Sequence, residues 1–502
     1  MALYRDVASF CSAVRQARRE GALNTALEMV VRFVQGIVSR QSTHARIFSS
    51  VQLDHLCQEL GRPIGERPGS AIEGQTVFLV TALAPSGGHS RVLLDLMKAD
   101  PGVAHTILLS NVQHESRYDE LSETLAQRGG TLHIAPNGDF ATRLEWMKAS
   151  LGRIKPARTY LLQHHYDAVC VAAAQPELTG RLLYYHHCDH ALALGMHLAH
   201  ATHIDFNAKS YYRCREVEGV KDNHYWPLTA PVSASRVGRA FFQRGHLTTC
   251  TSGGVEKFEN THLVERIPYL YDYPTVVPII LAATNGTHIH IGRLSDEALH
   301  KIETGMEQKG ISRHRFVHRP HVANLSDAVV EENVDVYVGS FPSGGGRALV
   351  EIMGAGLPVI LHANYRSVHF TDVAEAYPGA LGWRDVDQLI GHLQGLNYPL
   401  LADHSRRARE HYDAHHTPEL LQAAIRNTSS EMMHCSAPVR PTYVHDALQT
   451  WLDENHSEVQ TPEAIAEKAV GTRVLSSILI RRIAARLKLG LKARTQNRLR
   501  CL

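Results

Sequence analysis

Two series of short apolar, β-branched runs alternate with helix-length stretches along the middle of this 502-residue chain, and no other feature constrains its fold as strongly. The first series is TVFLVTAL (76–83), HTILLSN (105–111), LHIAP (132–136), TYLLQHH (159–165) and RLLYYHH (181–187). The second is VPIILAAT (277–284), HIHIGR (288–293), HRFVHR (314–319), DVYVGS (335–340) and LPVILH (357–362). Strands covered by helices on both faces read as continuous apolar runs. The alternation therefore predicts two α/β domains with parallel, Rossmann-like sheets.

The flanks differ. Residues 1–72 show helical spacing, with Ala26, Met29, Val30 and Phe33 recurring at three and four, and predict a helical N-terminal extension. The partition expected is 1–72 helical, 73–270 first Rossmann-like domain, 271–430 second Rossmann-like domain, and 431–502 a helical, basic C-terminal extension. A chain that is 44% hydrophobic can bury such cores, and no stretch reaches the length of a membrane span. The eight cysteines form no CxxC pair, which fits neither a disulfide framework nor a thiolate zinc site and favours a reducing, cytoplasmic setting. A net charge of +2 predicts no nucleic-acid partner.

The chemistry concentrates in three places. In DVYVGSFPSGGGRALVEIMGAGLPVI (335–360) a buried strand leads through Ser343, Gly344, Gly345 and Gly346 into a helix that begins at Arg347 and carries Glu351 one turn in. Bare glycine amides at a helix N-terminus suit a diphosphate, and a carboxylate one turn on can accept ribose hydroxyls. APSGGHSRV (84–92) forms a similar turn after the first strand, with Gly88 and His89. In YYHHCDHALALG (184–195), His187, Asp189 and His190 leave a strand at the sheet's carboxyl edge, where a histidine beside a carboxylate can serve as general base. Zinc held by His186, Cys188 and His190 lacks the usual spacing, so no metal and no cofactor is predicted.

The 335–360 string resembles the donor-binding signature of GT-B glycosyltransferases, a Gly-rich loop followed by a helix with an acidic residue and then G-x-P-V-[IV]. The resemblance spans roughly residues 75–425. It implies a nucleotide-sugar donor, UDP-linked by analogy, and a glycan, lipid-linked or protein acceptor. It places Gly344 to Gly346 and Arg347 on the diphosphate, Glu351 on the ribose, Gly88 beneath the donor, His89 toward the acceptor and the 318–325 loop near the base. Arg293, after HIHIG, falls where the family sets a cation against the phosphates. Where retaining members carry a second glutamate, eight positions before Glu351, this chain has Ser343; the pattern is similar to that of the inverting protein O-glycosyltransferases and their bacterial relatives. The family generally uses helix dipoles and cationic side chains in place of a divalent metal. The competing readings are a sugar-nucleotide epimerase of the same architecture and a catalytically inactive nucleotide-binding scaffold.

Residues 473–500 carry nine basic residues and no acidic one, with Leu475, Leu479, Ile483, Leu487 and Leu491 at four-residue intervals. That pattern predicts a helix on an anionic membrane surface, peripheral at the cytoplasmic face.

Overall fold

The computed structural model describes residues 6–40, 43–62, 69–83, 88–113, 118–259, 272–364 and 367–427. The 84–87 part of the first glycine turn and the predicted membrane-binding stretch 473–500 lie outside the described residues.

Seven strands form the first sheet: β1 (Ile72–Val80), β2 (Ala104–Leu109), β3 (Gly130–Ile134), β4 (Pro156–Leu162), β5 (Arg181–Tyr185), β6 (Ala201–Asp205) and β7 (His224–Tyr225). They are parallel in the order β3-β2-β1-β4-β5-β6-β7, and Val80 of β1 pairs with both Leu109 and Leu162. The N-terminal helices α1 (Val7–Arg19), α2 (Leu23–Val38) and α3 (Val51–Leu60) are not a detached extension. Phe10, Val30, Val34 and Leu56 share one core with Val77, Leu79 and Leu161 of the sheet. Connecting helices α4 (Gly88–Ala99), α5 (Tyr118–Ala126), α6 (Phe140–Ile154), α7 (Ala168–Ala173) and α8 (Ala208–Glu216) complete the layers.

The second sheet contains β8 (Thr248–Ser252), β9 (Thr287–Ile291), β10 (Phe316–Arg319), β11 (Val336–Val338), β12 (Val359–His362) and β13 (Leu381–Trp383), parallel in the order β10-β9-β8-β11-β12-β13. Both sheets thus reverse direction beside their first strand, and a doubly wound sheet opens its ligand crevice at that reversal. Helices α9 (Val255–Phe258), α10 (Tyr273–Thr284), α11 (Asp296–Gln308), α12 (Leu325–Glu331), α13 (Arg347–Gly354), α14 (Val386–Gly395), α15 (Tyr398–His415) and α16 (Pro418–Asn427) follow. No helix among the described residues is long and apolar enough to cross a membrane.

Three sequence expectations change. The run 277–284 is not a strand but the last two turns of α10, opened by the Asp272 cap on the Thr275 amide and by Pro274 in its first turn. A run this apolar all round fits a buried helix as well as a strand. The second sheet begins at Thr248, before the expected boundary at 271, because β8 is its central strand. Finally, α16 returns to the first domain, where Leu421, Ala424 and Ile425 pack with Leu93, Leu96 and Met97 of α4; their three- and four-residue spacing makes one apolar face.

Candidate functional site

The glycine turn forms as the pattern predicts. After β11 the chain passes through Ser343 to Gly346 and enters α13 at Arg347, with Gly346 at φ +39°. The Gly345 and Gly346 amides point at one acceptor, the Asp372 Oδ2 carboxylate oxygen, at 3.0 Å from the Gly346 nitrogen. A Cβ on Gly344 would lie 2.5 Å from that carboxyl group, so any other residue here would push the carboxylate aside. Two lysines border the turn. Lys257 donates to the Gly344 carbonyl at 2.9 Å, and Lys209 of α8 lies 3.9 Å from Asp372 while donating to the His369 and Thr371 carbonyls. The helix N-terminus, Lys257 beside it and Lys209 from the first domain favour an anion here, the place that the Asp372 carboxylate takes in this structure.

The facing wall comes from the first domain, to which Lys209 also belongs. Asp189 and His190 follow β5, and Asn207, whose side chain caps α8 at the Ser210 amide, donates to Asp189 at 2.7 Å. Burial alone would raise the Asp189 carboxyl, but His190 and the charge of Lys209 outweigh it and hold the group well below the usual carboxylate range. His190 Nδ1 is 3.8 Å from Asp189, and its ring packs edge-on against His165 and His44. The N-terminal segment is tied in directly, because the Ala45 amide donates to the His190 carbonyl at 2.7 Å. Burial pushes Glu375 up to about 7 despite the opposing charge of Lys209, whereas burial drives His369 down to about 3 and His416 to about 4. These groups enclose a cavity of about 400 Å³ between the two domains.

Of the residues expected from sequence, Asp189, His190, Ser343, Gly344 and Gly346 line this cavity. His187 lies behind it, stacked at 4.0 Å on His89, whose Nε2 is 3.0 Å from the Leu162 carbonyl. Burial lowers both rings, His89 to about 3. Gly88 begins α4 beside them and is exposed. Arg347 turns from the glycine amides toward Asp95 of α4, 3.0 Å away, and also pairs with Glu351, so these two are joined in an ion network between the domains. Burial raises the Glu351 carboxyl, with Arg347 opposing. Arg293 is exposed past β9 and outside the cavity lining. Lys209, Lys257, Asp372, Glu375 and His44 were not singled out from sequence. Each stands in a segment without a motif, and only folding brings them together.

No protein-family model matches the sequence, and no curated protein matches it. Solved structures do share its fold. Anabaena HepE in complex with UDP and glucose is 13% identical over 70% of this chain and 99% of its own, with a TM-score of 0.51. The lipopolysaccharide outer core galactosyltransferase WaaB, in its apo form, is 12% identical with the same coverage and a TM-score of 0.51. A variant of S. aureus TarM in complex with fondaparinux, alpha-GlcNAc-glycerol and UDP is 10% identical over 70% of this chain and 99% of its own, with a TM-score of 0.50. The likeness is one of architecture, and it assigns this chain the two-domain GT-B fold.

Proposed function

We propose that this protein is a glycosyltransferase that moves a sugar from a nucleotide-sugar donor, UDP-linked by analogy with its structural neighbours, to a glycan, lipid-linked or protein acceptor. The carrying observation is the cavity itself, in which the glycine turn and Lys257 of the second domain face Lys209 and a histidine–carboxylate pair of the first across the gap between two Rossmann-like domains. Structural neighbours that hold UDP support the donor class.

In this reading the donor diphosphate takes the place that the Asp372 carboxylate holds at the Gly345 and Gly346 amides, with Lys257 and Lys209 balancing its charge. Cations already in position cost no reorganisation as negative charge builds on the leaving diphosphate, so transfer proceeds without an exchangeable divalent ion. His190, aligned by Asp189, takes the proton of the acceptor hydroxyl as the new glycosidic bond forms. Glu351 reaches ribose once Arg347 is drawn off it, and His89 lies on the acceptor side. The segment 473–500 anchors the enzyme peripherally at an anionic surface, supported by its nine basic residues without an acidic one.

A thermal-shift screen with UDP-, GDP-, CMP- and dTDP-sugars tests the donor, since a ligand at a hundred times its Kd stabilises the fold by about 2.7 kcal/mol. Stabilisation by UDP-sugars supports the reading. A folded protein that none of the four stabilises contradicts it.

A further inference from the structure

Behind the cavity wall the first domain holds a separate cluster. His186 follows β5, His203 and Asp205 stand on the neighbouring strand β6, and Cys214 is on α8; all four side chains are buried, none more than 4% exposed. Their donor atoms converge. His186 Nδ1 is 2.9 Å from Asp205 Oδ1 and 3.3 Å from Cys214 Sγ, His203 Nε2 is 3.2 Å from the same oxygen, and Cys214 Sγ is 3.4 Å from it. All four atoms lie within 4.8 Å of one another.

We propose that His186, His203, Asp205 and Cys214 bind one zinc ion in a closed structural site. A tetrahedron with bonds of about 2.0–2.3 Å has edges of about 3.3–3.8 Å; the four separations given reach that range with shifts of up to about half an ångström, and the remaining pairs with shifts of at most about 1 Å. The donor set also suits the ion. Two neutral imidazoles, a thiolate and a carboxylate neutralise a divalent cation, so the whole group can be buried without net charge. The second carboxylate oxygen is already fixed, accepting from Asn223 Nδ2 at 2.7 Å, while the same nitrogen donates to the Tyr211 carbonyl at 2.9 Å; outer partners of this kind orient ligands. Zinc binding releases the Cys214 thiol proton to solvent. Four protein ligands leave no open position, so the ion does no chemistry on substrate. It staples β5 and β6 to α8, the helix that carries Lys209 to the cavity. It therefore differs from an exchangeable catalytic cation.

Elemental analysis of the full chain, purified without metal-affinity resin, is expected to find zinc close to one ion per chain. Refolding with cobalt should give the visible bands of a tetrahedral site and a near-ultraviolet thiolate-to-cobalt band. Cys214→Ser should abolish that charge-transfer band, while Cys188→Ser, in the neighbouring His164–His187–Cys188 group, should keep it. Protein that is metal-free as purified and takes up neither ion on refolding would overturn the proposal. So would a thiolate band lost in Cys188→Ser and kept in Cys214→Ser. The wild-type measurements decide the matter even if a variant fails to fold.

Discussion

The Asp372 carboxylate sits 3.0 Å from the Gly346 amide nitrogen and caps the N-terminus of α13, the position where a donor diphosphate is expected. The protein thereby satisfies amides that would otherwise be left bare when no anion is bound. Lys209, balanced by Asp372 in this arrangement, is left facing whatever replaces it.

The first prediction concerns that displacement. Asp372→Asn keeps the shape and removes the competing charge. A hydrogen bond to a charged group is worth about 1.5–3 kcal/mol, so UDP should bind on the order of tenfold more tightly. Calorimetric titration of the variant checks this. Weaker binding would mean that the carboxylate serves the bound state, by holding Lys209.

Glu351 and Asp95 share Arg347, and their variants should separate two roles. Glu351→Ala is expected to weaken donor binding by about 1.5–3 kcal/mol through loss of a ribose contact. Asp95→Ala should change it by less than about threefold, because in this reading Asp95 makes no contact with the donor. Equal losses in both variants would assign the effect to the interdomain network, with no ribose contact.

His190→Ala should lower kcat by about 10²–10⁴-fold, the usual contribution of a positioned general base, with UDP affinity unchanged. Transfer kinetics and a UDP titration on the same preparation check it. An unaltered kcat would remove His190 from the mechanism.

Much of this was legible in the sequence, and the exceptions have physical causes. Apolar β-branched runs announced most of the strands, and the Ser-Gly-Gly-Gly turn announced the entry to α13. The central strand β8 did not read as a strand because it is TTCTS. Two of its hydroxyls find their partners only in the fold, Thr251 in the Val338 carbonyl and Thr249 in His288. Residues 277–284 misled because uniform apolarity carries no period. Asp189 and His190 stood in a visible cluster, whereas Lys257, Asp372 and His44 come from three distant segments with no local pattern. One partner of Arg347 also depended on tertiary structure, since Asp95 lies in the other domain, whereas Glu351 stands four residues on in the same helix.

Glu375 gives a pH test. Its folded value of about 7 lies above the ordinary 4.5, so between those limits the native state holds more protons than the unfolded chain. Its contribution is full below about pH 4.5 and is lost as pH rises through about 7, a change on the order of 3 kcal/mol. The stability of Glu375→Gln minus that of the parent should therefore grow as pH rises from 5 to about 8. Chemical denaturation at several pH values measures that difference, in which the buried histidines cancel. A difference independent of pH would show that Glu375 is not held protonated.

The most direct test of the central claim is calorimetric titration of UDP into the full-length protein and into Lys257→Ala, with circular dichroism to confirm that both are folded. The predicted result is saturable one-to-one binding to the parent, weakened by about 1.5–3 kcal/mol, or roughly ten- to a hundredfold, in the variant. A folded parent that binds no UDP, or a variant that binds it as tightly as the parent, would contradict the assignment of this cavity as the donor site.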